Sequence, residues 1–168
     1  MTETVSTGTA ARSRKKVKGL SLERVFSTDG THPYDEITWE RRDVVQTNWK
    51  TGETVFEQRG VEFPEFWSLN ASTIVTTKYF RGAVGTDARE WSLRQLVDRV
   101  VGRYVEAGRE HGYFASEADV EVFEHELTWL LVNQYFSFNS PVWFNVGTQS
   151  PQQVSACFIL SVRSEELV

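Results

Sequence analysis

Seven apolar residues, Leu93, Leu96, Val97, Val100, Val101, Tyr104 and Val105, recur at intervals of three and four. That spacing puts them on one stripe of an α-helix, and a helix with one apolar stripe must be covered by something else. Ser92 precedes the stripe and Gln95 follows three residues later, the pairing of a capping box. A helix is therefore predicted over 92–108, ended by Gly108 or Gly112. Ser116 and Asp119 open a second one in the same way, predicted over 116–134. Val120, Phe123, Leu127, Leu130 and Leu131 mark its buried side. Two such helices with a short link predict a packed helix pair.

Other elements follow from turn chemistry. The run "VVQTNWKTGETVFEQ" holds two β-prone stretches around Lys50-Thr51-Gly52-Glu53, which predicts a hairpin. "GVEFPEFW" reads as an extended, buried connector around Pro64. Ser68 caps a helix predicted over 69–80, although Thr73-Ile74-Val75-Thr76-Thr77 is poor helix material. "YFSFNSPVWFNVGTQSPQQ" shows no helical period and reads as a loop. A loop so rich in aromatics must be packed under something, with its polar groups satisfied or used. "QVSACFILSV" is nearly apolar throughout and predicts a strand over 153–162, buried on both faces.

The 40% hydrophobic and 13% aromatic content, with six Trp and eleven Phe, suffices for a real core. No apolar run approaches the ~20 residues that span a bilayer, and no secretory signal opens the chain. A single cysteine excludes an internal disulfide scaffold and fits a reducing cytoplasm. Residues 1–20 carry Arg12, Arg14, Lys15, Lys16 and Lys18 against Glu3, a local +4, so with −5 overall the rest carries −9. A basic leader over 1–19 could touch nucleic acid. A solubilising disordered segment is the simpler reading, because the acidic body repels phosphate and no aromatics interleave the cations.

The histidines His32, His111 and His125 are far apart in sequence. Glu121 and His125 share a helix face and could mimic a ligand pair, but an ion-paired solvated face is the simpler reading. No metal site is expected. Phosphate-loop, dinucleotide-loop and nucleophile-elbow motifs are missing from the sequence. The aromatics Phe63, Phe66, Trp67, Trp143 and Phe144 read as core rather than stacking platforms. Cys157 is on composition a small buried hydrophobe. Two features favour a further role: the small Ser155-Ala156 before it would let a ligand approach, and the aromatic Asn/Ser/Pro loop needs a reason to be buried.

Two long stretches carry a family resemblance: "FSFNSPVWFNVGTQSPQQVSACFILSV" and, upstream, "ERRDVVQTNWKTGETVFEQRGVEFPEFWSLNASTIVTTKYFRG". Together they resemble the N-terminal part of the adenosylcobalamin-dependent, class II ribonucleotide reductases. The resemblance implies a mixed α/β chain: an N-terminal helical region with a small β element, leading into the first strand of a ten-stranded α/β barrel. The implied divisions are a leader over 1–19, an α+β region over 20–138 and the start of the barrel over 139–168, which makes the chain a piece of a larger enzyme, inactive alone. The implied activity is that of a ribonucleoside-diphosphate reductase, making 2′-deoxyribonucleotides for DNA synthesis.

By the same resemblance Cys157 is one half of a redox-active pair whose partner lies outside this chain. Ser140, Ala156 and Cys157 contact the ribonucleotide substrate. A separate radical cysteine abstracts the 3′ hydrogen, and adenosylcobalamin generates that radical by Co–C homolysis. The implied partners are a thioredoxin-like dithiol reductant and a second copy of the full-length enzyme, with no nucleic acid and no membrane. Two other readings stand beside this one. The first is the large chain of a class I reductase, driven by a second subunit. The second is a non-catalytic interaction module derived from the enzyme.

Overall fold

The computed structural model describes residues 19–157. Their elements run in the order β1 (Trp39–Thr47), β2 (Thr54–Pro64), α1 (Leu69–Lys78), α2 (Leu93–Glu110), α3 (Glu117–Val132) and α4 (Ser140–Asn145), with a 3-10 turn at Pro33–Glu36 before β1. The leader expected over 1–19 lies outside the described residues, apart from Gly19. Leu20 is tied to the turn after α2: its N–H donates to the Tyr113 carbonyl at 2.7 Å, and its own carbonyl accepts from Ala115 N–H at 2.9 Å.

β1 and β2 form an antiparallel hairpin, the one sheet among the described residues. Its turn closes where the sequence puts it. Asn48 N–H donates to the Glu53 carbonyl at 2.7 Å, and Gly52 takes the φ of +75° that the turn requires. "GVEFP" is not a connector. Gly60–Pro64 continues β2, and its Val61–Pro64 pairs with Trp39–Arg42. A lone hairpin is marginal in water. Here Arg42 rivets it to the connector that follows and to α1. Its buried guanidinium donates to the carbonyls of Trp67 at 2.6 Å, Glu65 at 2.8 Å and Pro64 at 3.2 Å, and to Ser72 Oγ at 2.7 Å.

The three helices read from the sequence are present with their caps. Ser68 Oγ accepts from Ala71 N–H at 3.1 Å. Gln95 Oε1 accepts from Ser92 N–H at 3.1 Å, closing the capping box. Ser116 Oγ accepts from Asp119 N–H at 3.3 Å. α2 ends in a Schellman motif on Gly112, with Tyr113 N–H on the Gly108 carbonyl at 2.8 Å. α3 ends the same way on a residue the sequence did not flag. Gln134 sits at φ +62°, and Tyr135 N–H reaches the Leu130 carbonyl at 2.9 Å.

The core joins one face of the hairpin to all four helices: Val44, Val61 and Phe63 against Val75, Phe80, Leu96, Val97, Val100, Val132 and Trp143. Phe63 and Trp143 belong to it as expected, whereas Phe66 (55%) and Phe144 (41%) are exposed.

Two expectations are corrected downstream. The stretch read as a loop contains α4, six residues long. A six-residue helix is too short for a 3.6 period to register. Its signature was the Asn139 cap with Pro141 just inside the first turn. The strand expected at 153–162 is not formed over Gln153–Cys157, which carry no regular structure, and Cys157 is exposed rather than buried. A strand needs a neighbour to bond with, and no described strand lies alongside. Residues 158–162 fall outside the described residues, and a ten-stranded barrel is not seen among those described.

Candidate functional site

The residues singled out from the sequence, Ser140, Ala156 and Cys157, sit at the two ends of one folded-back segment. Asn139 makes the fold-back. Its Oδ1 caps α4 by accepting from Val142 N–H at 3.3 Å, and its Nδ2 donates to the Val154 carbonyl at 3.1 Å. One side chain thus links the residue before Ser140 to the residue three before Cys157. Asn145 repeats the device from the far end of α4, donating to the carbonyls of Pro151 at 3.1 Å and Gln153 at 3.2 Å. The sequence reading named neither asparagine as a positioning group. For Asn145, which is buried, the signal was an amide that would be costly to leave unpaired, and for Asn139 it was its place before Ser140-Pro141 as a helix cap.

Ser140, Ala156 and Cys157 all face solvent. Ser140 Oγ lies 2.9 Å from the Tyr79 hydroxyl, which extends from the C-cap of α1. Ser155 Oγ donates to the Cys157 carbonyl at 3.1 Å.

α4 is held from below by Arg99 of α2. Its guanidinium donates to the last carbonyls of the segment, Val146 at 2.5 Å and Trp143 at 3.0 Å. Glu90 fixes Arg99 in turn, with Nε to Oε1 at 2.7 Å; both side chains are nearly buried. Gly147 then passes so close to α2 that a Cβ there would lie 2.4 Å from the Arg99 carbonyl oxygen. Its φ is +75°. The expectation that this aromatic stretch is packed under something is met only in part: Val142, Trp143 and Val146 are buried, whereas Tyr135, Phe136 and Phe144 are exposed.

The Glu121–His125 face is an ion-paired surface, as its alternative reading held. Arg24, from the N-terminal strap, donates to Glu121 Oε1 at 2.8 Å and approaches His125 Nδ1 at 3.2 Å. The His32 ring lies 5.0 Å from that of His125. Burial first, then His32 and Arg24, hold the His125 pKa below its ordinary value, and Glu121 and Glu124 oppose them. A depressed histidine pKa means that the unfolded chain takes up the proton first. The contribution of neutral His125 is complete above about pH 6.5 and is lost as pH falls through the folded value. Acidification below that point should therefore lower the melting temperature of the wild type more than that of His125→Gln. Parallel pH profiles for the two proteins would contradict it.

Among the described residues no group of three or more His, Cys, Asp or Glu side chains could hold a metal ion. An apolar cavity of about 270 Å³ lies between α1, α2 and α3, walled by Trp67, Ile74, Leu131 and Trp143 among others. Drug-sized ligands need roughly 300–1,000 Å³. A corrin ring with its appendages is larger still. The more open clefts, of about 560, 540 and 480 Å³, are likewise no larger than a drug-sized site, so none of these fits a cobalamin.

Comparison with known proteins decides the family. The model of the class II vitamin B12-dependent ribonucleotide reductases matches residues 41–134, more than half of the chain. The chain belongs to this family. It is 68% identical over 166 residues to the vitamin B12-dependent ribonucleotide reductase of Streptomyces coelicolor, covering 96% of this chain and 17% of that protein. The protein of the same name from Streptomyces clavuligerus is 66% identical over 165 residues, with the same coverage. The one from Rhodopirellula baltica is 40% identical over 149 residues, covering 88% of this chain and 14% of that protein. The chain thus spans about a sixth of the length of these relatives. The class I reading gains no support, since the matching family is class II. No helix among the described residues is long and apolar enough to cross a membrane.

Proposed function

We propose that this chain is the N-terminal part of an adenosylcobalamin-dependent ribonucleotide reductase, and that it carries one half of the site where the ribose is reduced. The observation that carries the reading is the Asn139 bridge, in a chain two-thirds identical to named reductases. It ties the Ser140 turn to the run leading into Cys157. In this reading Ser140 and the Ala156-Cys157 backbone hold the ribonucleotide. The Cys157 thiol and a second cysteine elsewhere in the full-length protein supply two electrons and two protons. The ribose loses its 2′-hydroxyl as water, and the two sulfurs join as a disulfide. An external dithiol of the thioredoxin type restores them by thiol–disulfide exchange.

The thiyl-radical step and the cobalamin that initiates it belong to other parts of the full-length protein. Residues 20–138 act as the scaffold, and 139–168 lead into the catalytic barrel. The test is an assay of the full-length protein for deoxynucleotide formation, with ribonucleoside diphosphate as first substrate and with or without adenosylcobalamin. Turnover only with the cofactor is expected. Turnover without it, or none with it, would contradict the reading.

A further inference from the structure

Ser140 is exposed on the first turn of a short helix, and a serine hydroxyl there has three staggered positions to choose from. Its hydrogen can point to solvent, to the backbone or to a ligand. Something must choose, and one side chain hydroxyl lies within reach. The Tyr79 hydroxyl is 2.9 Å from Ser140 Oγ.

We propose that Tyr79 is a positioning residue for substrate binding, acting through Ser140. The proposal rests on the reading of Ser140 as a substrate contact. Tyr79 is fixed at several points. Its N–H donates to the Val75 carbonyl at 2.9 Å as the C-cap of α1. Its carbonyl accepts from Arg99 Nη2 at 3.4 Å. Its half-buried ring packs against Trp143 of α4, with centroids 6.4 Å apart. The same Arg99 holds the Trp143 and Val146 carbonyls. Tyr79 and α4 are thus referenced to one guanidinium, so the phenol and Ser140 keep their register.

A phenol is a better hydrogen-bond donor than an aliphatic hydroxyl, so Tyr79 donates and Ser140 accepts. That spends one lone pair of Ser140 Oγ and turns its own hydrogen outward. Ser140 is then held as a donor toward an oxygen acceptor on the ribonucleotide. Without the phenol the hydroxyl is free to rotate, and part of the binding it supplies is lost in fixing it.

Steady-state kinetics on the full-length reductase test this with Tyr79→Phe, Ser140→Ala, the double variant and Tyr135→Phe. Phe keeps the ring packing on Trp143 and removes only the hydroxyl. Tyr135, which is 71% exposed, controls for loss of a surface phenol. Tyr79→Phe should raise KM for the ribonucleotide about three- to tenfold, the worth of a hydrogen bond, with kcat changed less than about twofold. Ser140→Ala should raise KM by a similar factor. The double variant should be no worse than the larger single one, because both remove the same interaction. Tyr135→Phe should match the wild type.

If Ser140→Ala raises KM but Tyr79→Phe leaves it unchanged, acts only on kcat, or adds independently, the Tyr79 role is overturned and the Ser140 reading stands. If Ser140→Ala itself leaves KM unchanged, the reading of Ser140 fails, and this inference with it.

Discussion

Cys157→Ser in the full-length protein is expected to bring deoxynucleotide formation to background, a loss on the order of 10³-fold or more. Serine keeps the size and a hydrogen-bond donor but cannot form a disulfide. It therefore cannot supply the electrons the ribose needs. Substrate binding should survive. The local frame around position 157 comes from Asn139 on the Val154 carbonyl and Ser155 on the Cys157 carbonyl, neither of which involves the sulfur. Cleavage of the cobalamin should also survive, since in this reading the radical cysteine is a different one. The loss should thus fall on the chemical step, with the substrate dissociation constant little changed. Wild-type turnover by Cys157→Ser with a dithiol reductant would make Cys157 a bystander.

Gly147→Ala should loosen the segment that carries Ser140, although it touches no reacting group. The added Cβ would meet the Arg99 carbonyl oxygen at 2.4 Å, a helix backbone atom that cannot step aside. The φ of +75° adds its own cost for a residue with a Cβ. Strain and overpacking together should cost on the order of 2–4 kcal/mol locally. Because Gly147 N–H also bonds Gln152 Oε1 at 2.6 Å, the damage should spread into the 147–153 turn. Hydrogen exchange on the full-length protein reads this directly. Peptides covering 139–153 should exchange faster in the variant, while those in α2 change little. Equal protection in both proteins would mean that the close approach to α2 does not hold the segment.

These two residues show what a sequence discloses and what it hides. Cys157 could be picked out because it is the one thiol and because the residues around it resemble a family whose chemistry needs one there. Gly147 could not, because its role depends on α2 passing beneath it, a contact across 48 residues of chain. The same division runs through the fold. α1, α2 and α3 were legible because caps and apolar periods are local, and the hairpin because Gly52 marks its turn. α4 was missed because six residues give no period. Gly60–Pro64 was misread because Pro64 suggested a connector, whereas proline is tolerated at a strand's end. The apolar run after Gln153 suggested a strand, yet pairing partners set strands, and 153–157 has none among the described residues. For the site, Ser140 and Cys157 were named, whereas the groups that hold them, Asn139, Asn145, Arg99 and Tyr79, were not. Their roles are tertiary: each reaches a carbonyl or hydroxyl that only the fold brings near.

The most direct test of the account is to trap the thiols of the full-length enzyme after a single turnover without external reductant. Acid quenching, alkylation and peptide mass mapping then report the state of Cys157. The account predicts a disulfide between Cys157 and one other cysteine of the same polypeptide, formed in equal amount to the deoxynucleotide. Cys157 found alkylated and free, with product formed, would contradict it.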